Sequence, residues 1–78
     1  MPNPTPEYIT GLLKGLGLER VLVIRVGPRS NLWEVACVRS GRHYFARSTS
    51  LALASRQLLR KLGYSPKRIA DLLGGKNA

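Results

Sequence analysis

The stretch from Leu32 to Arg47 reads LWEVACVRSGRHYFAR. It decides the fold, because two β-prone runs, Leu32–Arg39 and Arg42–Arg47, are joined by Ser40-Gly41, a dipeptide suited to a tight hairpin turn. Upstream, Arg20–Val26 (RVLVIRV) is β-branched and nearly continuous in apolar character, and Gly27-Pro28-Arg29-Ser30-Asn31 reads as the turn between it and the hairpin. The expectation is a three-stranded antiparallel meander.

Downstream, Ser48-Thr49-Ser50 is a cluster of capping residues. Leu51, Ala54 or Ser55, Leu58, Leu59 and Leu62 then recur at helical spacing up to Gly63, predicting a long helix over residues 49–62. Its apolar stripe suits the sheet, and Arg56, Gln57, Arg60 and Lys61 form the opposite, polar face. Before the sheet, Thr5-Pro6-Glu7 combines a cap, a proline tolerated in a first turn and an acid. Ile9, Leu12, Leu13 and Leu16 follow as one stripe, with Gly17 as the stop. Gly11 and Gly15 weaken this helix or mark the close approach of another backbone. Ser65-Pro66 opens a last short helix, Lys67–Leu73, that turns Ile69, Leu72 and Leu73 inward. Met1–Thr5 reads as an extended arm and residues 75–78 as a frayed tail. The fold class expected is α+β: a short N-terminal helix, a three-stranded antiparallel sheet, a long helix packed on the sheet, and a short C-terminal helix.

A chain of 78 residues has room for one domain, with a thin core. The apolar fraction of 44% argues for a packed globule despite a net charge of +9. Thirteen Lys and Arg stand against four acids, and nine of the thirteen are Arg, whose planar fork suits phosphates and base edges. The charge points to a polyanionic partner. One cysteine allows no internal disulfide, and the sequence shows neither a secretory leader nor an apolar run of membrane-spanning length, so a cytoplasmic setting is expected, without membrane association.

One His, one Cys, three Glu and one Asp make a poor inventory for chemistry. Cys37 and His43 fall on adjacent strands, but two ligands do not close a zinc site, and nucleophilic catalysis needs an orienting third group. No catalytic, metal or cofactor site is expected. The stronger pattern is basic residues interleaved with aromatics. Arg20, Arg25, Arg29, Arg39, Arg42 and Arg47 punctuate strands bearing Trp33, Tyr44 and Phe45. Arg29, Arg39 and Arg42 sit at turns, from which phosphates are most easily reached. With period two, Trp33 and Phe45 are core aromatics facing the long helix together with Val35 and Cys37. Tyr44, of opposite parity to Phe45, falls on the surface. The second face then carries Arg25, Arg42 and Tyr44, but also Val21, Val23, Ala36 and Val38. That is too apolar for a pure phosphate platform, so cover by the first or last helix or by a partner subunit is expected, a homodimer being one form of it.

The run Trp33-Glu34-Val35-Ala36-Cys37-Val38, then Ser40-Gly41-Arg42, Tyr44 and a Ser/Thr cap before an alanine-bearing helix, resembles the arm-type DNA-binding domains at the amino end of tyrosine recombinases. The resemblance spans about residues 20–62. It implies a three-stranded sheet on one helix, with the sheet entering the DNA major groove; the leading helix and the missing catalytic domain depart from that pattern. The order helix, three strands, helix, with Gly27-Pro28, Trp33 and Ser48, also resembles a double-stranded-RNA-binding domain. That family's lysine cluster at the helix start is replaced here by Thr49 and Ser50, which ranks RNA second.

The expected function is non-catalytic binding of duplex nucleic acid, DNA before RNA, with Arg25, Arg29, Arg39, Arg42, Tyr44, Arg47, Arg56, Arg60 and Lys61 as the contacting residues. The alternative is a small adaptor or inhibitor of mobile-element type, docking on an acidic surface of a protein partner.

Overall fold

The computed structural model describes residues 4–27, 29 and 31–74. Its elements run α1 (Pro6–Gly15), β1 (Glu19–Val26), β2 (Leu32–Arg39), β3 (Arg42–Ser48), α2 (Leu51–Lys61) and α3 (Pro66–Leu72). This is the α+β architecture that the periodicities predict. The expected frayed tail, most of the leading arm, and Pro28 and Ser30 of the first turn lie outside the described residues.

Each helix begins on a side-chain cap. The Thr5, Ser50 and Ser65 hydroxyls accept from the backbone N–H of Tyr8, Leu53 and Arg68, and Pro6 and Pro66 occupy first-turn positions where no donor is needed. At the far end of α2, Gly63 takes φ +99°, and the Tyr64 N–H turns back to donate to the Leu59 carbonyl, a reversal that favours glycine. Gly11 and Gly15 have no atom within 4 Å of where a Cβ would stand. They weaken α1 without admitting a close neighbour.

The sheet has the order β1-β2-β3, antiparallel throughout. Ser40 and Gly41, both at positive φ (53° and 78°), form the two-residue turn of the β2–β3 hairpin. Arg39 therefore pairs with Arg42, Cys37 with Tyr44, Val35 with Ala46 and Trp33 with Ser48. In β1 the register shifts between Glu19 and Leu22, where Arg20 has φ 50°. Arg20 and Val21 there oppose the single residue Cys37, which is a β-bulge.

All three helices contribute to one core on one face of the sheet. Ile9 and Leu13 of α1, Leu51, Ala54, Leu58 and Leu59 of α2, and Ile69 of α3 cluster with Val35, Cys37 and Ala46. Val21, Val23, Trp33 and Tyr44 pack against the cluster from the same side. Two long-range hydrogen bonds fasten the layer: the Tyr8 hydroxyl donates to the Leu72 carbonyl, tying α1 to α3, and Arg39 donates to the Leu62 carbonyl at the end of α2.

Three expectations are corrected by this packing. Phe45 is not a core aromatic; it is 52% exposed on the opposite face. Tyr44 is not the surface candidate but half-buried against the core. Val21 and Val23 face the helices, and Arg25, paired with Trp33, and Arg42, paired with Arg39, lie on the same side, so the second face carries Leu22, Ile24, Ala36, Val38 and Phe45 instead, and neither α1 nor α3 covers it. The cause is the register of the two-residue turn, which puts Tyr44 opposite the inward Cys37 and Phe45 opposite the outward Ala36.

This assignment predicts a contrast in stability. Leu58→Ala, at a fully buried position, is expected to cost about 3 kcal/mol. Phe45→Ala is expected to cost less than about 1 kcal/mol, as exposed positions usually do. Urea denaturation of both variants checks the pair, and a Phe45 loss as large as that of Leu58 would return it to the core.

Candidate nucleic-acid interface

The candidate site is the sheet face without helices. The meander alternates, so each residue paired in the register with an outward neighbour shares its face: Leu22 with Ala36, Ile24 with Glu34, Ala36 with Phe45, Val38 with His43 and Glu34 with Arg47. Leu22 and Ile24 are 45% and 39% exposed. Arg20, presented by the bulge, joins Leu22, Ala36, Val38, Phe45 and Arg47 around a shallow depression of about 350 Å³.

The charges on this face are positioned by contacts. The Arg47 Nε–H donates to Glu34 Oε1 at 2.6 Å, and the guanidinium lies 5.8 Å from the centre of the Phe45 ring. Lys61 reaches round β3 from α2, donates to the Phe45 carbonyl at 2.6 Å and holds its ammonium 5.1 Å from the same ring. Phe45 thus stands between two cations, each held by a hydrogen bond, and cation–π attraction keeps them against its faces. Glu34 is the acid among these residues, and Arg47 already engages it.

The other expected contact residues divide by location. Arg42 and Arg29 are exposed at the two turns of the meander. Arg39, on the helix side of the sheet, is exposed but engaged, donating to the Leu62 carbonyl at 2.9 Å and lying 5.9 Å from the Tyr44 ring. A cation there also suits the negative end of α2. Arg25 stacks over Trp33 at 5.4 Å and donates to the Asn31 side chain. Arg56 and Arg60 are exposed on α2, opposite the Leu51, Ala54, Ser55, Leu58 and Leu59 stripe that faces the sheet. They lie on the far side of the domain from the uncovered face. The structure therefore brings Arg47 and Lys61 together there and separates Arg56, Arg60, Arg25, Arg39, Arg42 and Tyr44 from it, Arg42 pairing with Arg39 on the helix-covered side. Reading the sequence counted Arg20 in the basic pattern of the strands but not among the contact residues, and it missed His43, Leu22, Ile24, Glu34 and Phe45. For Phe45 and His43 the signal was available in the length of the Ser40-Gly41 turn.

Cys37 and His43 emerge on opposite faces of the sheet: Cys37 is buried in the helix-covered core and His43 is exposed on the other side. The two side chains do not form a pair. Burial raises the Cys37 thiol above its ordinary value of 9.0, against a smaller opposing pull from Arg39, so the unreactive thiol form persists into alkaline solution. Among the described residues there is no group of three or more His, Cys, Asp or Glu able to hold a metal ion, and no helix long and apolar enough to cross a membrane. The chain matches no protein-family model, no curated protein and no solved structure.

The buried thiol gives a direct check on the inward face. At about pH 8, Cys37 is expected to react with an aromatic disulfide reagent far more slowly in the native protein than in denaturant. The raised folded pKa also means that the thiol's contribution to stability is full below about pH 9 and is lost as pH rises through the folded value. Rapid native-state labelling would contradict the placement of Cys37.

Proposed function

We propose that this protein binds duplex nucleic acid, DNA before RNA, through the uncovered face of its sheet, without catalysing a reaction. The observation that carries the reading is the uncovered face itself, framed by Arg20, Arg47 and Lys61 around an exposed aromatic. A protein of net charge +9 draws in polyanions at long range. The exposed Arg20 and Lys61 at the face are suited to phosphate oxygens, which fix orientation.

Dimensions favour DNA. Three strands about 4.8 Å apart span about 10 Å between their outer axes, close to the roughly 12 Å width of the B-form major groove. The major groove of A-form RNA is deep and narrow and closed to such an element. The same placement of the sheet is what the resemblance to arm-type domains implies. A cytoplasmic setting belongs to this proposal.

One observation favours a second reading, an adaptor or inhibitor that docks on an acidic protein. Leu22, Ile24 and Phe45 expose apolar surface that a partner protein would bury, and the surrounding cations would steer the encounter.

Titration against duplex DNA, duplex RNA and heparin separates these readings. With about four phosphate contacts, DNA affinity is expected to fall about a hundredfold between about 50 and 200 mM salt. Arg20→Gln with Lys61→Gln should flatten the log–log salt slope by about two, while Arg56→Gln with Arg60→Gln leaves it near its starting value. Equal, weak binding to all three polyanions, insensitive to the face variants, would remove the nucleic-acid reading and leave the adaptor.

A further inference from the structure

The uncovered face carries one feature that phosphate binding does not require: an arginine held from behind by a carboxylate, beside an apolar floor. Arg47 gives its Nε–H to Glu34, and the Glu34 side chain is only 17% exposed. The two terminal nitrogens of Arg47 have no hydrogen-bond partner among the described residues. A guanidinium fixed through Nε presents those terminal donors as a fork, a geometry matched to the O6 and N7 acceptors of guanine in the major groove. An arginine meant only for phosphates has no need of an acidic neighbour, whose charge opposes the contact.

The floor beside it is apolar. Phe45, Leu22, Ala36 and Val38 line the depression into which the Arg47 side chain also borders. Among base edges in the major groove, thymine alone presents a methyl group, and it is read by apolar side chains such as Ala and Phe. Charge complementarity speaks for DNA as the occupant over a second copy of the chain. A second copy would bring +9 against +9 and would set Arg20 and Arg47 close to like charges.

Resting on the duplex-binding reading, we infer that Arg47, positioned by Glu34, and the apolar floor around Phe45 form a base-reading site for a guanine next to a thymine. Arg47 donates to guanine O6 and N7, and the thymine methyl packs on Phe45 and its neighbours. Arg20 and Lys61 keep the phosphate-binding part.

The test uses the full chain and an alternating thymine-guanine duplex with its complement, measured beside two analogues of that duplex. Replacing guanine by its N7-deaza form removes one acceptor of the fork and is expected to weaken binding about tenfold. Replacing thymine by uracil removes the methyl and is expected to weaken it about threefold. Arg47→Ala should make the parent and deaza duplexes equivalent while still discriminating against uracil. Phe45→Ala, or Phe45→Ser as a second variant at the same exposed position, should do the reverse. Glu34→Gln should reduce the guanine discrimination more than it changes the salt slope, which separates positioning from a general electrostatic role. If the unmodified and modified duplexes bind the wild-type protein equally and with steep salt dependence, the base-reading inference is overturned and the duplex-binding reading stands. If none of the duplexes binds, both fall.

Discussion

The two-residue turn at Ser40 and Gly41 sets which side of the sheet every residue of β3 faces. Both residues adopt positive φ, as a turn twisting with its flanking strands requires. With the turn fixed, Cys37 lies opposite Tyr44, and Val35 opposite Ala46. One more residue in the loop would exchange the faces, since side chains alternate with period two. Tyr44 and Ala46 would leave the core, and Phe45 would enter it in place of a small residue. The helices then follow. α2 packs on β2 and β3 through Leu51, Ala54, Leu58 and Leu59, α1 packs through Ile9 and Leu13, and the opposite face keeps its apolar residues without cover.

Much of this was legible in the sequence. The strands of the hairpin, the long helix and the caps at Thr5, Ser50 and Ser65 follow from periodicity and from residues whose side chains satisfy free helix donors. The faces of β3 were not read correctly, because RHYFAR offers two adjacent aromatics and hydrophobicity alone prefers Phe over Tyr for the interior. The physics preferred Tyr44, whose ring packs on the core while Arg39 lies close against it. The pairing of Arg39 with Arg42, implied by the turn, carried the answer. The β1 bulge was hidden for a different reason: nothing in Glu19-Arg20-Val21 marks a left-handed position, since glycine is the usual occupant and arginine stands there instead. Its consequence, an Arg20 side chain on the uncovered face, was therefore invisible.

The arginines also divide in a way that composition conceals. A count of nine suggests a uniform basic coat, yet Arg39 is engaged with the end of α2 and with Tyr44, and Arg25 with Trp33 and Asn31. These contribute to the architecture. Arg56 and Arg60 face away from the sheet, on a domain only 18 Å through its shortest axis. What remains on the uncovered side is a small group whose members are individually positioned, with Phe45 between Arg47 and Lys61. An exposed aromatic held between cations and set over Leu22, Ala36 and Val38 is a surface suited to a partner that is both anionic and locally apolar, a description met by the floor of the DNA major groove.

The central claim is that binding occurs on the uncovered face, and backbone and methyl resonances followed by NMR during titration with duplex DNA test it most directly. The account predicts shifts concentrated at Leu22, Ile24, Ala36, Val38, Phe45 and Arg47, with Arg56, Arg60 and the outer side of α2 nearly still. Shifts confined to α2, with the uncovered face unmoved, would contradict it.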